Sequence, residues 1–138
     1  MNKNGETHKS LFAEMIAQLQ QKIKLNAVIL FGSRARGDFI QMSDFDVVVV
    51  GAFQDSYFER LEWVGQLAPN VALDLFCYTP QEFETMFASY NLTTIDAIGE
   101  GIALYGEGFF RKYRDRYNEF VKHGMRKSKC ALYPPLLK

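Results

Sequence analysis

Four consecutive valines, Val47 to Val50, follow directly behind the triplet Asp44-Phe45-Asp46. Side chains branched at Cβ favour strands over helices, and an unbroken apolar run of this kind belongs to a strand covered on both faces. Two carboxylates at the head of such a strand sit at its mouth, where the sheet meets solvent. Two further apolar runs have the same character. Asn26 to Phe31 ends at Gly32, and Val71 to Tyr78 carries a lone carboxylate, Asp74, in its interior.

Around these runs the apolar period lengthens from two to 3.6 residues. Leu11, Phe12, Met15, Ile16, Leu19 and Ile23 form a helical stripe, and Phe58, Leu61, Val64 and Leu67 form another within Asp55 to Leu67. Ser33 is expected to cap a short helix reaching about Gly37, after which a turn-rich stretch leads to the valine strand. Thr79-Pro80-Gln81-Glu82 combines a capping-box threonine and glutamate with proline at the first helical position. Helical segments then run to about Gly101, with a break near Tyr90-Asn91. Ile102 to Tyr105 is expected to be a short fourth strand. Phe109 to His123 reads as an amphipathic helix stopped by Gly124, and the tail with Pro134-Pro135 as irregular. The order predicts an α/β (α+β) fold, a small mixed β-sheet with flanking helices.

A length of 138 residues implies one domain. No apolar run approaches the ~20 residues of a membrane helix. The N-terminus lacks a signal-peptide core, so a cytoplasmic location is expected. Cys77 and Cys130 read as buried or free thiols rather than a disulfide framework. The zero net charge hides a segregation. Residues 1–24 carry +2, residues 25–110 carry three basic against twelve acidic side chains, and residues 111–138 carry nine against two. An acidic body discourages non-specific nucleic-acid binding, while a basic tail attracts polyanions or an acidic protein.

Strand alternation places Asp44 and Asp46 on one face, about 7 Å apart. Left bare, they would raise each other's pKa; hard Mg²⁺, held by carboxylates and phosphate oxygens, removes the conflict. Asp74, flanked by Leu73 and Leu75 turned the other way, joins them if the strands pair, completing a two-metal site ~3.5–4 Å across. Gly32-Ser33 lets backbone approach a phosphate, the helix that follows offers N–H groups, and Arg34 and Arg36 stand close by in sequence. Each element has a plainer reading: a simple turn, a solvated strand edge, a carboxylate accepting backbone hydrogen bonds. Arranged in this order on consecutive strands, they point to metal-assisted phosphoryl chemistry.

Gly32-Ser33, ten residues, then Asp44-Phe45-Asp46, with Asp74 on a later strand, resembles the signature of the DNA polymerase β-type nucleotidyltransferase superfamily. The fuller string from Gly32 to Gly37 with Ser43 to Asp46 is similar to its minimal nucleotidyltransferase subgroup, and Glu100 to Gly106 resembles that subgroup's closing strand. The resemblance covers roughly residues 8 to 110. It implies a polymerase β-like palm in residues 1–110, with 111–138 an amphipathic helix and basic tail of the same domain. It further implies that Asp44 and Asp46 hold two Mg²⁺ ions, that Asp74 binds one of them, and that Asp74 helps deprotonate the incoming hydroxyl. Gly32, Ser33 and Arg36 would grip the nucleotide, with ATP as donor and pyrophosphate released.

Larger relatives carry domains that recognise the acceptor, for which this chain leaves little room. Subgroup members are often antitoxins paired with a HEPN-domain ribonuclease toxin, and some adenylylate a tyrosine on it. The resemblance therefore implies an antitoxin modifying a HEPN toxin, in a type VII-like system, with no membrane or direct nucleic-acid partner. Two alternatives stand beside it: transfer to a small molecule such as an aminoglycoside, or neutralisation by contact without catalysis. Phe110, Tyr113, Tyr117 and Phe120 are expected to pack on the chain's own core, and the basic residues beyond them to form a solvated face. His8, in a fraying start, and His123, at a helix end, are assigned no role, and Trp63 is read as packing.

Overall fold

A computed structural model describes residues 3–37, 44–128 and 131–136. Helix α1 (Lys3–Lys22) leads into strand β1 (Leu25–Phe31), short helix α2 (Ser33–Arg36) and strand β2 (Phe45–Gly51). Helix α3 (Tyr57–Gly65) crosses to strand β3 (Leu73–Tyr78), followed by helices α4 (Pro80–Ala88) and α5 (Leu92–Glu100). Strand β4 (Ile102–Tyr105) and helix α6 (Glu107–Lys122) precede two two-residue strands, β5 (Arg126–Lys127) and β6 (Leu132–Tyr133). The main sheet has the order β3-β2-β1-β4 and is mixed: β2 and β3 run parallel, the other neighbours antiparallel.

The valine run occupies a central strand, and alternation splits it between two cores. Val47 and Val49 join Val28, Leu30, Cys77 and the α1 stripe Phe12, Met15, Ile16 and Leu19. Val48 and Val50 join Ile29, Phe31 and the aromatic face of α4 and α6, including Phe83, Phe87, Phe110, Tyr113 and Phe120. All four valines are fully buried, each contributing roughly 2 kcal/mol of transfer free energy. The C-terminal aromatic stripe thus packs inward, as expected.

Several details differ from expectation. Ser33 is the first residue of α2 and Gly32 its cap, because only glycine accepts the cap's backbone angles there. The segment 38–43, read as turn-rich, lies outside the described residues, as do Lys129 and Cys130. The tail is not wholly irregular, since β5 and β6 pair antiparallel. His8 does not lie in a fraying start: α1 carries it to 8% exposure, edge-on to Phe45. Burial, then the nearby charge of Arg34, lowers its pKa. Leu11 and Phe58 leave their stripes for solvent, Phe58 at 81% exposure, because each stripe is wider than the face its helix buries. Trp63 packs against Phe53 and donates its indole N–H to Asp55 Oδ2 at 2.8 Å.

The capping box at Thr79 and Glu82 is present, and Ser56 with Glu59 forms a second one at the start of α3. Glu82 also ties α4 to α3. Arg60, 6% exposed, donates to Glu82 Oε1 at 2.7 Å, to the Cys77 carbonyl at 3.2 Å and to the Asp55 carbonyl at 3.0 Å. Its contacts keep the Glu82 pKa low despite the opposing effect of burial. Arg60→Ala takes the guanidinium from the Cys77 carbonyl and leaves Glu82 with the Thr79 N–H but no cation. A loss of about 2–4 kcal/mol in urea unfolding at pH 7 is expected, below the full cost of a buried pair because Glu82 is part-exposed.

Candidate active site

Strand pairing decides which carboxylates meet. In the parallel β2–β3 register Asp46 lies opposite Asp74, one step before Val47 meets Leu75. In the antiparallel β1–β2 register Asp46 also faces Phe31, the last residue before the glycine turn. Asp46 is therefore the hinge of the site, with β3 on one side and the Gly32-Ser33 turn on the other.

Gly32 has φ 76° and ψ −159°, a conformation essentially reserved for glycine. A Cβ there would stand 2.1 Å from Asp46 Oδ2, so the missing side chain is the space the carboxylate fills. The Gly32 carbonyl accepts from the Ala35 and Arg36 N–H groups at 3.1 and 3.0 Å, folding the turn into α2. On α2, Arg34 lies over the Phe45 ring at 4.4 Å. Arg36 donates from Nη1 to Glu100 Oε2 at 2.8 Å, and Glu100 also receives Lys127 Nζ at 3.5 Å. Lys127 is anchored in turn on Asp96 at 2.6 Å. A chain of charges thus runs from the basic tail to the glycine turn.

Asp46 is half-buried, and its carboxyl is pushed up to about 6. Burial is the largest cause, followed by the charge and hydrogen bond of Asp74 and the charge of Asp44; Arg36 pulls the other way. The all-oxygen donor set, with a carboxylate seated where a glycine makes room, fits a hard divalent cation that would offset the like charges. Asp44 immediately precedes β2, is exposed, and acts on Asp46 through its charge. Among the described residues no three His, Cys, Asp or Glu side chains are gathered into a ready cage. Like charges stay apart until a cation compensates them. Asp74, on the sheet's free edge, is exposed.

The structure thus brings Asp46, Asp74 and Gly32 together and sets Ser33 and Arg36 on the adjoining short helix. The contacts of Glu100 with Arg36 and with Lys127 were not foreseen, since they join residues 64 and 27 positions apart with no local pattern to announce them.

The profile of the family described as Polymerase beta, Nucleotidyltransferase matches residues 13–98. No curated protein matches the chain. Among solved structures, a chain of a variant of the toxin–antitoxin MntA–HpeT is 25% identical over 80% of this chain and 88% of that one, with TM-score 0.52. Another variant of that toxin–antitoxin gives 22% identity, the same coverage and TM-score 0.52. A chain of the tri-AMPylated Shewanella oneidensis HEPN toxin in complex with MNT antitoxin is 21% identical over 86% and 87% of the two chains, with TM-score 0.45. The family expected from the Gly32–Asp46 string is borne out.

Because the Asp46 carboxyl is raised, the native state holds an extra proton between about pH 4 and 6, and stability falls as pH rises through that window. Asp46→Asn removes the penalty. In chelator it is expected to unfold at higher urea than the parent above pH 6, by about 1–2 kcal/mol after allowing for solvent screening, and to match it near pH 4. Gly32→Ala should instead destabilise by at least ~2 kcal/mol at every pH, from backbone strain and displacement of Asp46.

Proposed function

The chain belongs to the Polymerase beta, Nucleotidyltransferase family, and we propose that it transfers AMP from ATP to a tyrosine hydroxyl of a HEPN-domain toxin, acting as that toxin's antitoxin. The observation that carries the reading is the cross-strand meeting of Asp46 and Asp74 beside a glycine whose absent side chain makes room for a carboxylate. The toxin–antitoxin pairing rests on the 25% identical structural neighbour and on the likeness of residues 32–46 to the minimal nucleotidyltransferases.

In this reading Gly32, Ser33 and Arg36 receive the triphosphate. The glycine turn lets backbone N–H groups approach the phosphates, the Ser33 hydroxyl adds a donor, and Arg36 supplies a charge-assisted bond. Glu100 aims Arg36, and Lys127 shares the Glu100 carboxylate. Two Mg²⁺ ions on Asp44, Asp46 and Asp74 would supply charge stabilisation for the attacking and leaving oxygens. Asp74 orients the acceptor hydroxyl and takes its proton as the oxygen bonds to the α-phosphorus and pyrophosphate departs in line.

Incubation with labelled ATP, Mg²⁺ and the product of the adjacent gene, as candidate toxin, should add AMP to a tyrosine of that protein, detected by mass. The Asp44→Ala, Asp46→Ala double variant should lose transfer by at least ~100-fold. Full toxin neutralisation by that variant, with no adduct from the parent, would leave a contact antitoxin instead. Arg36→Ala should raise the KM for ATP about 10-fold with kcat little changed, the loss of one charge-assisted bond, and Glu100→Gln should reproduce part of that effect.

A further inference from the structure

Phe58, the most exposed of the large hydrophobic side chains with a ring among the described residues, meets a cluster of rings at the β3 edge of the sheet. Along β3 the side chains of Asp74, Phe76 and Tyr78 alternate to one face, that of Val48 and Phe31. Tyr57 stacks on Tyr78 at 5.9 Å and 27°, Phe76 lies 6.5 Å from Tyr78, and Phe58 meets Tyr57 edge-on at 6.2 Å. Tyr57 and Tyr78, with Gln81, Glu82, Thr85 and Met86 of α4, line a cleft of about 460 Å³. Phe76 stands between Asp74 and Tyr78 on that face, so the rings lead along β3 toward the carboxylate.

We propose that this groove seats an uncharged, aromatic-rich segment of the acceptor protein, delivering its tyrosine to Asp74. The inference rests on the reading of Asp44, Asp46 and Asp74 as the reaction centre. Direction supports it first. The triphosphate lies on the β1 side of Asp46, at Gly32, and in-line displacement brings the acceptor from the side opposite the leaving pyrophosphate. That side is β3, which pairs with β2 alone in the sheet. Charge selects the occupant. Glu82 is the charged residue lining the cleft, and it is engaged by Arg60 Nη1 at 2.7 Å and by the Thr79 N–H at 2.8 Å. A polycationic aminoglycoside needs unpaired carboxylates, whereas neutral rings complement apolar and aromatic side chains. A ring at 81% exposure is unremarkable when isolated; Phe58 instead meets Tyr57, which stacks on Tyr78 and lines the cleft with Met86.

The test uses the full chain with the product of the adjacent gene as candidate toxin and, separately, kanamycin as acceptors, reading AMP transfer, toxin Kd and affinity for a non-hydrolysable ATP analogue. Phe58→Asp and Met86→Glu are expected to lower kcat/KM for toxin modification and weaken toxin binding at least 10-fold, with analogue affinity within 2-fold of the parent. Phe58→Leu should restore most of both. Unchanged toxin binding in both acidic variants overturns the groove, as does a parallel loss of analogue affinity or transfer to kanamycin in preference to the toxin. If the parent modifies neither acceptor, the reaction reading fails; the groove then stands or falls on toxin Kd, which Phe58→Asp must still weaken.

Discussion

Two carboxylates facing each other across a parallel strand pair are the constraint on which the site depends. Asp46 and Asp74 repel, yet the β2–β3 ladder that opposes them also pairs Val47 with Leu75, Val48 with Phe76 and Val49 with Cys77. A one-residue slip would relieve the charges and turn the buried valines out of their cores. The apolar ladder therefore holds the two acids opposite each other, and the raised Asp46 carboxyl reflects burial first and the charge of Asp74 second.

The same economy governs the charge distribution. The acidic body and basic tail are joined by pairs: Arg116 and the Tyr113 hydroxyl on Glu84, Lys127 on Asp96 and Glu100, Arg36 on Glu100. Exposed pairs contribute little stability singly. Their value here is positional, since Glu100 connects the tail to the glycine turn, and the tail's cations are only partly the solvated face that composition suggests.

Much of the fold was legible locally. Valine density, the Thr79 capping box and the glycine at position 32 each express backbone preferences within a few residues, so strands, helix starts and the turn were readable. What misled were stripes: Leu11 and Phe58 obey the helical period yet face solvent, because period says which side chains share a face and not how wide the covering surface is. His8 was misjudged for a related reason, since its burial depends on Phe45 in a distant strand.

The sequence by itself determined the donors and their order: Gly32 before Asp44 and Asp46, Asp74 later, each on its own strand or turn. Those are properties of neighbours along the chain, carried by steric preference and alternation. Only the tertiary structure decided that Asp46 and Asp74 share a register, that Glu100 receives both Arg36 and Lys127, and that Phe58 meets Tyr57 edge-on. Such relations are set by strand register and by packing between segments remote in sequence, where no local preference carries the information.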